Sequence, residues 1–231
     1  MEIDISFDFR SDSGGKDPDK YSRTLRQYHK LLWSRDLPNG QFFGLTDSVP
    51  GKYLVYQSNF GQFSLSSDSV IPTFAKWKFM KPVTENFSAD EIEAFVSIGY
   101  TMGGMMIFPA NQIGGMQTIN GARGFTRAIS DRFDLTLECI RRYYLHIESP
   151  LAQTLARYAN FFELFLDFRG YVDFFLLQDL VNIDGKVQFF LPFVEFGPPS
   201  VPKDRHAYAE YRQRSIDFVR ARNNRIIALG I

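Results

Sequence analysis

The chain has 231 residues, 45% of them hydrophobic and 23% charged, and its 26 Lys and Arg balance its 26 Asp and Glu. This composition is typical of a folded globular protein and excludes intrinsic disorder, which combines low hydrophobicity with high net charge. The absence of net charge also argues against a general polyanion binder, which carries a clear basic excess. The 24 Phe residues predict a large core or an aromatic-lined groove.

The compartment is predicted from what the sequence lacks. With one cysteine, Cys139, the chain can form no internal disulfide, which fits a reducing cytosol. Residues 1–13 carry neither a basic segment nor a long apolar run, so they do not have the pattern of a signal peptide. No apolar run reaches the ~18 residues that a membrane-spanning helix needs. We predict a cytoplasmic protein with no membrane partner.

The N-terminal half is predicted to be mainly strands. Residues 2–9 alternate apolar and polar side chains, which favours a half-buried strand, and residues 21–35 have helical spacing. Residues 51–58 and 61–67 form a predicted hairpin. Ser88 and Glu91 form a capping box at the start of a further helix. A buried strand is predicted to follow within residues 105–111, where Pro109 ends it. Gly residues lie on both sides of this strand.

The C-terminal half is predicted to be mainly helical. The strongest periodicity covers 126–146, and a second helix is predicted from a Ser149 cap to a Gly170 stop. The remaining predicted elements are a helix at 171–181, a strand at 186–196 and a long helix at about 204–227. Strands followed by helices indicate an α+β fold. We predict a single compact domain over 1–231, with a weak seam near 110–118.

Two segments carry opposite charge. Residues 148–184 hold six acids against two bases, whereas residues 203–225 hold seven bases against three acids. Either the two segments attract each other inside one fold, or the basic helix is free to meet phosphate. The sequence leaves both interpretations open.

The first candidate site is "TINGARGF", residues 118–125, interpreted as a Gly-rich loop before the long helix. Free N–H groups at a helix N-terminus favour an anion, and Asn120, Arg123 and Arg127 are the predicted ligand-binding residues. The alternative is a tight turn whose Arg side chains pair with Asp131 and Asp134. The segment lacks the Gly-Lys-Ser/Thr ending of a P-loop.

The second candidate is the Arg-x4-His spacing of Arg141 and His146, which resembles the motif of metal-independent ribonucleases of the HEPN class. There His146 would act as general acid or base and Arg141 would stabilise phosphate charge. The alternative is an ion pair of Arg141 with Glu138, one turn back. No Cys/His zinc spacing exists, and we predict no metal and no cofactor.

The phrases "TINGARGF", "DRFDLTLECIRRYY", "SPLAQTLARY" and "DFRGYVDFFLLQDLV" lie within residues 100–182. In this order they resemble an uncharacterised bacterial protein family, a domain of unknown function, and the resemblance implies no activity. We expect a phosphate-, nucleotide- or RNA-directed protein with an Arg/Asn site at a helix N-terminus. The alternative is a non-catalytic interaction or self-associating module with a Phe-rich face. Whether the chain is an enzyme, a nuclease included, or a homo-oligomer is left open.

Overall fold

A computed structural model describes residues 2–47, 49, 51–197 and 199–231. Its sheet has four antiparallel strands in the order β1-β2-β3-β4. The strands are β1 Leu45–Asp47, β2 Leu54–Ser58, β3 Gly61–Ser69 and β4 Met105–Pro109. The helices of the described residues are α1 Pro18–Tyr21, α2 Arg23–Trp33, α3 Lys81–Thr84, α4 Ala89–Gly99, α5 Ile119–Phe125, α6 Phe133–Tyr144, α7 Ala152–Ala156, α8 Ala159–Glu163, α9 Phe168–Phe174 and α10 Arg205–Ala228. Short 3-10 turns lie at Lys78–Met80, Met102–Gly104 and Gln178–Leu180.

The predicted hairpin, capping box and buried strand of the N-terminal half are present in the structure. Ser58 pairs with Gly61, so a two-residue turn closes the β2–β3 hairpin. The Ser88 hydroxyl accepts from the backbone of Glu91, whose carboxylate accepts from the backbone of Ser88. Strand β4 is buried along its length and ends at Pro109. The α+β fold class is confirmed.

One hydrophobic cluster extends from Ile3 to Ile226 and contains most of the phenylalanines. Among the described residues, the large exposed phenylalanines are Phe42, Phe79 and Phe125. Most Phe residues therefore belong to the hydrophobic core. The Phe-rich interaction face stays a prediction. No helix of the described residues is both long and apolar enough to cross a membrane. The domain boundaries and the seam near 110–118 also stay predictions.

Helix α10 is docked on the protein rather than free. The fully buried guanidinium of Arg222 donates to the carbonyls of Phe175, Gly103 and Met105 at 2.9–3.1 Å. Arg225 forms an ion pair with Asp179, with 2.5 Å between Nε and Oδ2. The Phe175 carbonyl and Asp179 belong to the acidic 148–184 region, so α10 packs on this region, and Arg225 with Asp179 is the ion pair between the two segments.

The predicted strand at residues 2–9 is wrong. The apolar side chains are buried or half-buried, but the backbone forms turns. Asp4 Oδ1 accepts from the backbone N–H of Ser6 at 2.8 Å, and Asp8 Oδ1 accepts from that of Arg10 at 2.9 Å. Such local side-chain bonds compete with a strand ladder. The predicted strand at 186–196 is also wrong, because it contains only an isolated bridge at Val187.

The predicted helical boundaries at 126–170 need correction. Ser130 and Asp131 have left-handed φ angles of 50° and 62°, so α6 begins only at Phe133. The predicted cap Ser149 does not cap a helix, because α7 begins after Leu151 without a side-chain cap. Gly170 is no helix stop, since its N–H donates to the cap Asp167 at 2.7 Å inside the first turn of α9.

Candidate functional site

The segment "TINGARGF" is itself a helix, so its interpretation as a loop before the long helix is wrong. Thr118 caps α5 by accepting from the backbone of Gly121 at 3.2 Å. Asn120 Nδ2 donates to Ser66 Oγ at 3.2 Å, and Arg123 Nη1 lies 3.3 Å from Asp68 Oδ2. Helix positions three apart share a face, as do strand positions two apart. The two pairs therefore fix α5 on β3.

Arg123 is the centre of a buried ion network. Its guanidinium is 0% exposed, and it contacts the carboxylates of Asp68 and Asp131, which are 39% and 26% exposed. Nη2 also donates to the backbone carbonyl of Asp131 at 2.7 Å. The alternative pairing with Asp131 is thus present. The pairing with Asp134 is not, because Asp134 binds Arg132, with 2.5 Å between Nη2 and Oδ2.

The two aspartates border a cleft of about 230 Å³ that Tyr100 and Trp77 also line. Burial raises the pKa of Asp68, although Arg123 opposes the shift. Burial likewise raises the pKa of Asp131 to about 6 against the effect of Arg123. Asp131 can therefore exchange a proton near neutral pH. The positive charge of Arg123 is already offset by carboxylates, which leaves little of it for an anionic ligand.

The structure does not bring Arg127 to these groups. Its side chain is exposed, and its backbone carbonyl accepts from Ser130 Oγ at 2.7 Å. Asn120 and Arg123 bind β3, whereas Arg127 extends from the connection between α5 and α6. A joint anion site of these three residues stays a prediction.

Arg141 and His146 are placed differently from each other. Arg141 donates from Nε and Nη2 to Glu138 at 2.7 and 2.9 Å, as the alternative interpretation expected. Helix α6 ends at Tyr144, and His146 follows, exposed and with a φ of 57°. The guanidinium that would hold phosphate is bound to a carboxylate. The nuclease interpretation stays a prediction.

A larger cleft, of about 730 Å³, opens between α1, α2 and the residues Asp47, Val49 and Gly51, and we call it the basic cleft. Its volume lies within the roughly 300–1,000 Å³ of small-molecule sites. Asp47 is the one acidic side chain among the described lining residues. The described residues that line it are Lys20, Tyr21, Arg23, Arg26, Gln27, Lys30, Leu31, Asp47, Val49 and Gly51.

Helix α2 positions most of the cationic groups. Arg23, Arg26 and Lys30 follow the i, i+3, i+7 spacing that places side chains on one helix face. The Ser22 hydroxyl caps the helix by accepting from the backbone of Leu25 at 3.0 Å. The opposite face is anchored by Leu25 and other buried residues, so the cationic face is held towards the cleft.

The four cations of the basic cleft differ in how they are bound. Asp47 accepts from both Arg26 and Lys30, with 2.5 Å to Lys30 Nζ. The hydrogen bond from Lys30 lowers the pKa of Asp47. Lys20 Nζ lies 3.4 Å from Asp17 Oδ2. Arg23 is exposed and forms no hydrogen bond or ion pair with the part of the chain that the structure describes.

A buried polar pair lies behind the basic cleft and joins α1, α2 and β3. Asp19 accepts from Ser67 Oγ at 2.6 Å and from its backbone N–H at 2.7 Å. Trp33 Nε1 donates to His29 Nδ1 at 3.0 Å. The neutral imidazole therefore carries its proton on Nε2, 3.9 Å from Asp19 Oδ1. Burial raises the pKa of Asp19 to about 7 and lowers that of His29 to about 3.

Comparison with known proteins identifies the family. Residues 3–226 match the family of unknown function DUF6994. The chain belongs to this family. The resemblance to a domain of unknown function is thereby confirmed. No curated protein and no solved structure matches the chain.

Membership in DUF6994 brings no activity, so function has to be argued from the geometry. Within residues 2–47, 49, 51–197 and 199–231, no cluster of His, Cys, Asp or Glu is placed to hold a metal ion. Sequence reasoning used α2 only for its apolar face and missed the basic cleft. The signal that could have found it is the cationic spacing of Arg23, Arg26 and Lys30.

Proposed function

We propose that the chain binds a small phosphate-bearing molecule in the basic cleft. The observation that carries the proposal is the lining of four cations around one carboxylate in a cleft of ligand size. The proposal keeps the expected phosphate-directed function and moves it from α5 to the face of α2. Arg123 supports this move, because its charge is offset by two carboxylates.

The charge balance of the basic cleft favours an anion. Asp47 accepts from both Arg26 and Lys30, so one carboxylate faces two cations. Arg23 adds an exposed guanidinium, and such a planar group can bind phosphate through two hydrogen bonds at once. Arg26 is already fixed, since it donates to the carbonyl oxygens of Asp19 and Lys52 at 2.7 and 2.6 Å. A phosphate would thus bind the adaptable guanidinium of Arg23, while the fixed guanidinium of Arg26 adds positive charge nearby.

The cationic groups surround a cleft rather than spread along a surface. A nucleic-acid backbone is contacted by many bases along an extended track, and its binding falls steeply with salt. The basic cleft places four cations around a volume of about 730 Å³ in a chain with no net charge. These features support a small ligand over RNA, and RNA binding becomes an outcome of the test.

The proposal is tested by titrating inorganic pyrophosphate into the purified chain by isothermal calorimetry at low salt. We expect saturable binding that weakens as salt is added, because the contacts are partly exposed ion pairs. Arg23→Ala should weaken binding about fivefold, the effect of losing roughly 1 kcal/mol. Arg220→Ala removes an exposed Arg from α10 and should leave binding unchanged. Absence of binding, or equal weakening by both variants, would overturn the proposal.

A further inference from the structure

Three apolar side chains line the same basic cleft as the cations. Tyr21, Leu31 and Val49 are 48%, 36% and 52% exposed. Large exposed apolar groups that gather in a concave site mark contact surfaces more often than single scattered ones do. Inorganic phosphate would use only the cations and would leave this apolar lining in water. The apolar lining therefore indicates that the ligand also has an apolar part.

The geometry points to a nucleotide, whose base contacts Tyr21 and whose phosphates contact Arg23 and Lys30. This inference rests on the proposed function and adds the class of ligand. A nucleotide has a flat apolar ring system at one end and a polyanion at the other. The basic cleft offers both kinds of lining within about 730 Å³.

Tyr21 is placed to act as a stacking surface. It ends α1, next to Lys20, which also lines the cleft. Lys16 Nζ lies over one face of the Tyr21 ring, 4.8 Å from its centroid, so a base would stack on the opposite face. A Cβ atom at Gly51 would lie 3.8 Å from the Tyr21 hydroxyl, so the 51 backbone approaches the ring edge. A half-exposed ring with cations beside it can stack a base whose phosphates those cations bind.

Gln27 supplies a polar group between the cations and the apolar residues. It lies on α2, four residues before Leu31 and three before Lys30, and it lines the basic cleft. Its side chain forms no hydrogen bond with the described residues. A carboxamide carries both donors and acceptors, which suits the edge of a base. Gln27 is therefore assigned as the group that contacts the base edge.

The test compares pyrophosphate with the four common nucleoside diphosphates on the full chain by calorimetry. We expect at least one nucleoside diphosphate to bind about tenfold more tightly than pyrophosphate, the usual effect of stacking one base. Tyr21→Ala should remove this tenfold difference, because it should weaken nucleoside diphosphate binding more than pyrophosphate binding. Tyr21→Phe keeps the ring and should retain the difference. Circular dichroism and thermal unfolding confirm that each variant is folded.

The outcomes separate this inference from the proposed function. Equal binding of pyrophosphate and every nucleoside diphosphate overturns the nucleotide inference and leaves phosphate binding standing. Equal weakening of both ligands by Tyr21→Ala also overturns the inference. Absence of binding by all five ligands overturns both proposals. Binding of single-stranded RNA that nucleoside diphosphates do not displace would overturn the inference in favour of a polymer.

Discussion

Replacing Asp19 by Asn should change how the stability of the chain depends on pH. The Asp19 carboxyl is buried, and burial raises its pKa from 3.8 to about 7 despite two hydrogen bonds from Ser67. Between these two values the folded chain holds a proton that the unfolded chain releases. Stability is therefore highest at low pH for this group and is lost as pH rises towards 7. Asn has no proton to release, so Asp19→Asn removes this slope.

The magnitude follows from the two pKa values. Each pKa unit corresponds to about 1.36 kcal/mol, so between pH 5 and pH 8 the wild type should lose about 2–3 kcal/mol relative to Asp19→Asn. Urea unfolding of both proteins at several pH values measures the difference. Asp184→Asn removes a carboxylate from an exposed turn and serves as the matched control. A difference that does not vary with pH, or that varies in the opposite direction, would refute the assignment of a raised pKa.

Three further predictions test buried contacts outside the basic cleft. Arg123→Met leaves two partly exposed carboxylates without their cation and should destabilise the fold by about 2 kcal/mol at pH 8. The loss should be smaller at pH 5, where the carboxylates take up protons, and an equal loss in urea unfolding at both pH values would contradict this. A Cβ at Gly103 would lie 2.6 Å from Asn223 Oδ1, so Gly103→Ala should cost about 1–3 kcal/mol. At Gly197 an added Cβ meets no atom within 4 Å among the described residues beyond its chain neighbours, so Gly197→Ala should change the unfolding midpoint little. Burial raises the pKa of the Cys139 thiol to about 12, so Ellman's reagent should label it only as fast as the chain unfolds, and rapid labelling of the native protein would show that the thiol is accessible.

Much of the fold could be predicted because its signals are local. The Ser88 capping box, the hairpin and the Asp204 cap of α10 each depend on residues within a few positions of one another. Local bonding also explains the error at residues 2–9. The apolar alternation there correctly places Ile3 and Phe9 inside. Asp4 and Asp8, however, accept from the backbone N–H groups of Ser6 and Arg10, which converts an expected strand into turns.

The boundary of α6 could not be predicted from periodicity. Residues 126–132 continue the apolar repeat, yet Ser130 and Asp131 are held in left-handed conformations. Asp131 contacts Arg123 in this conformation, and its backbone N–H donates to the Arg123 carbonyl at 3.0 Å. The tertiary contact thus overrides the local pattern, and such a contact is invisible in the sequence.

The candidate sites also combine features that the sequence reveals with contacts that only the folded structure reveals. Asn120 and Arg123 stand out in the sequence, but their partners lie 54 and 55 residues earlier on β3. Only the packing of α5 against the sheet reveals that these side chains dock a helix. The cationic face of α2 can be derived from spacing alone. The other side of the cleft is formed by Asp47, Val49 and Gly51. Their position depends on where the chain returns after the first helices, which no local pattern specifies.

The central claim is that a phosphate-bearing ligand binds at the basic cleft and not at α5. An amide-resolved NMR titration of the labelled chain with pyrophosphate tests it most directly. We predict that the signals that move first belong to α1, α2, Asp47, Val49 and Gly51, with Arg23 and Lys30 among them. Movement centred on Asn120, Arg123 and Arg127, or no movement in α2 at saturating pyrophosphate, would contradict the account.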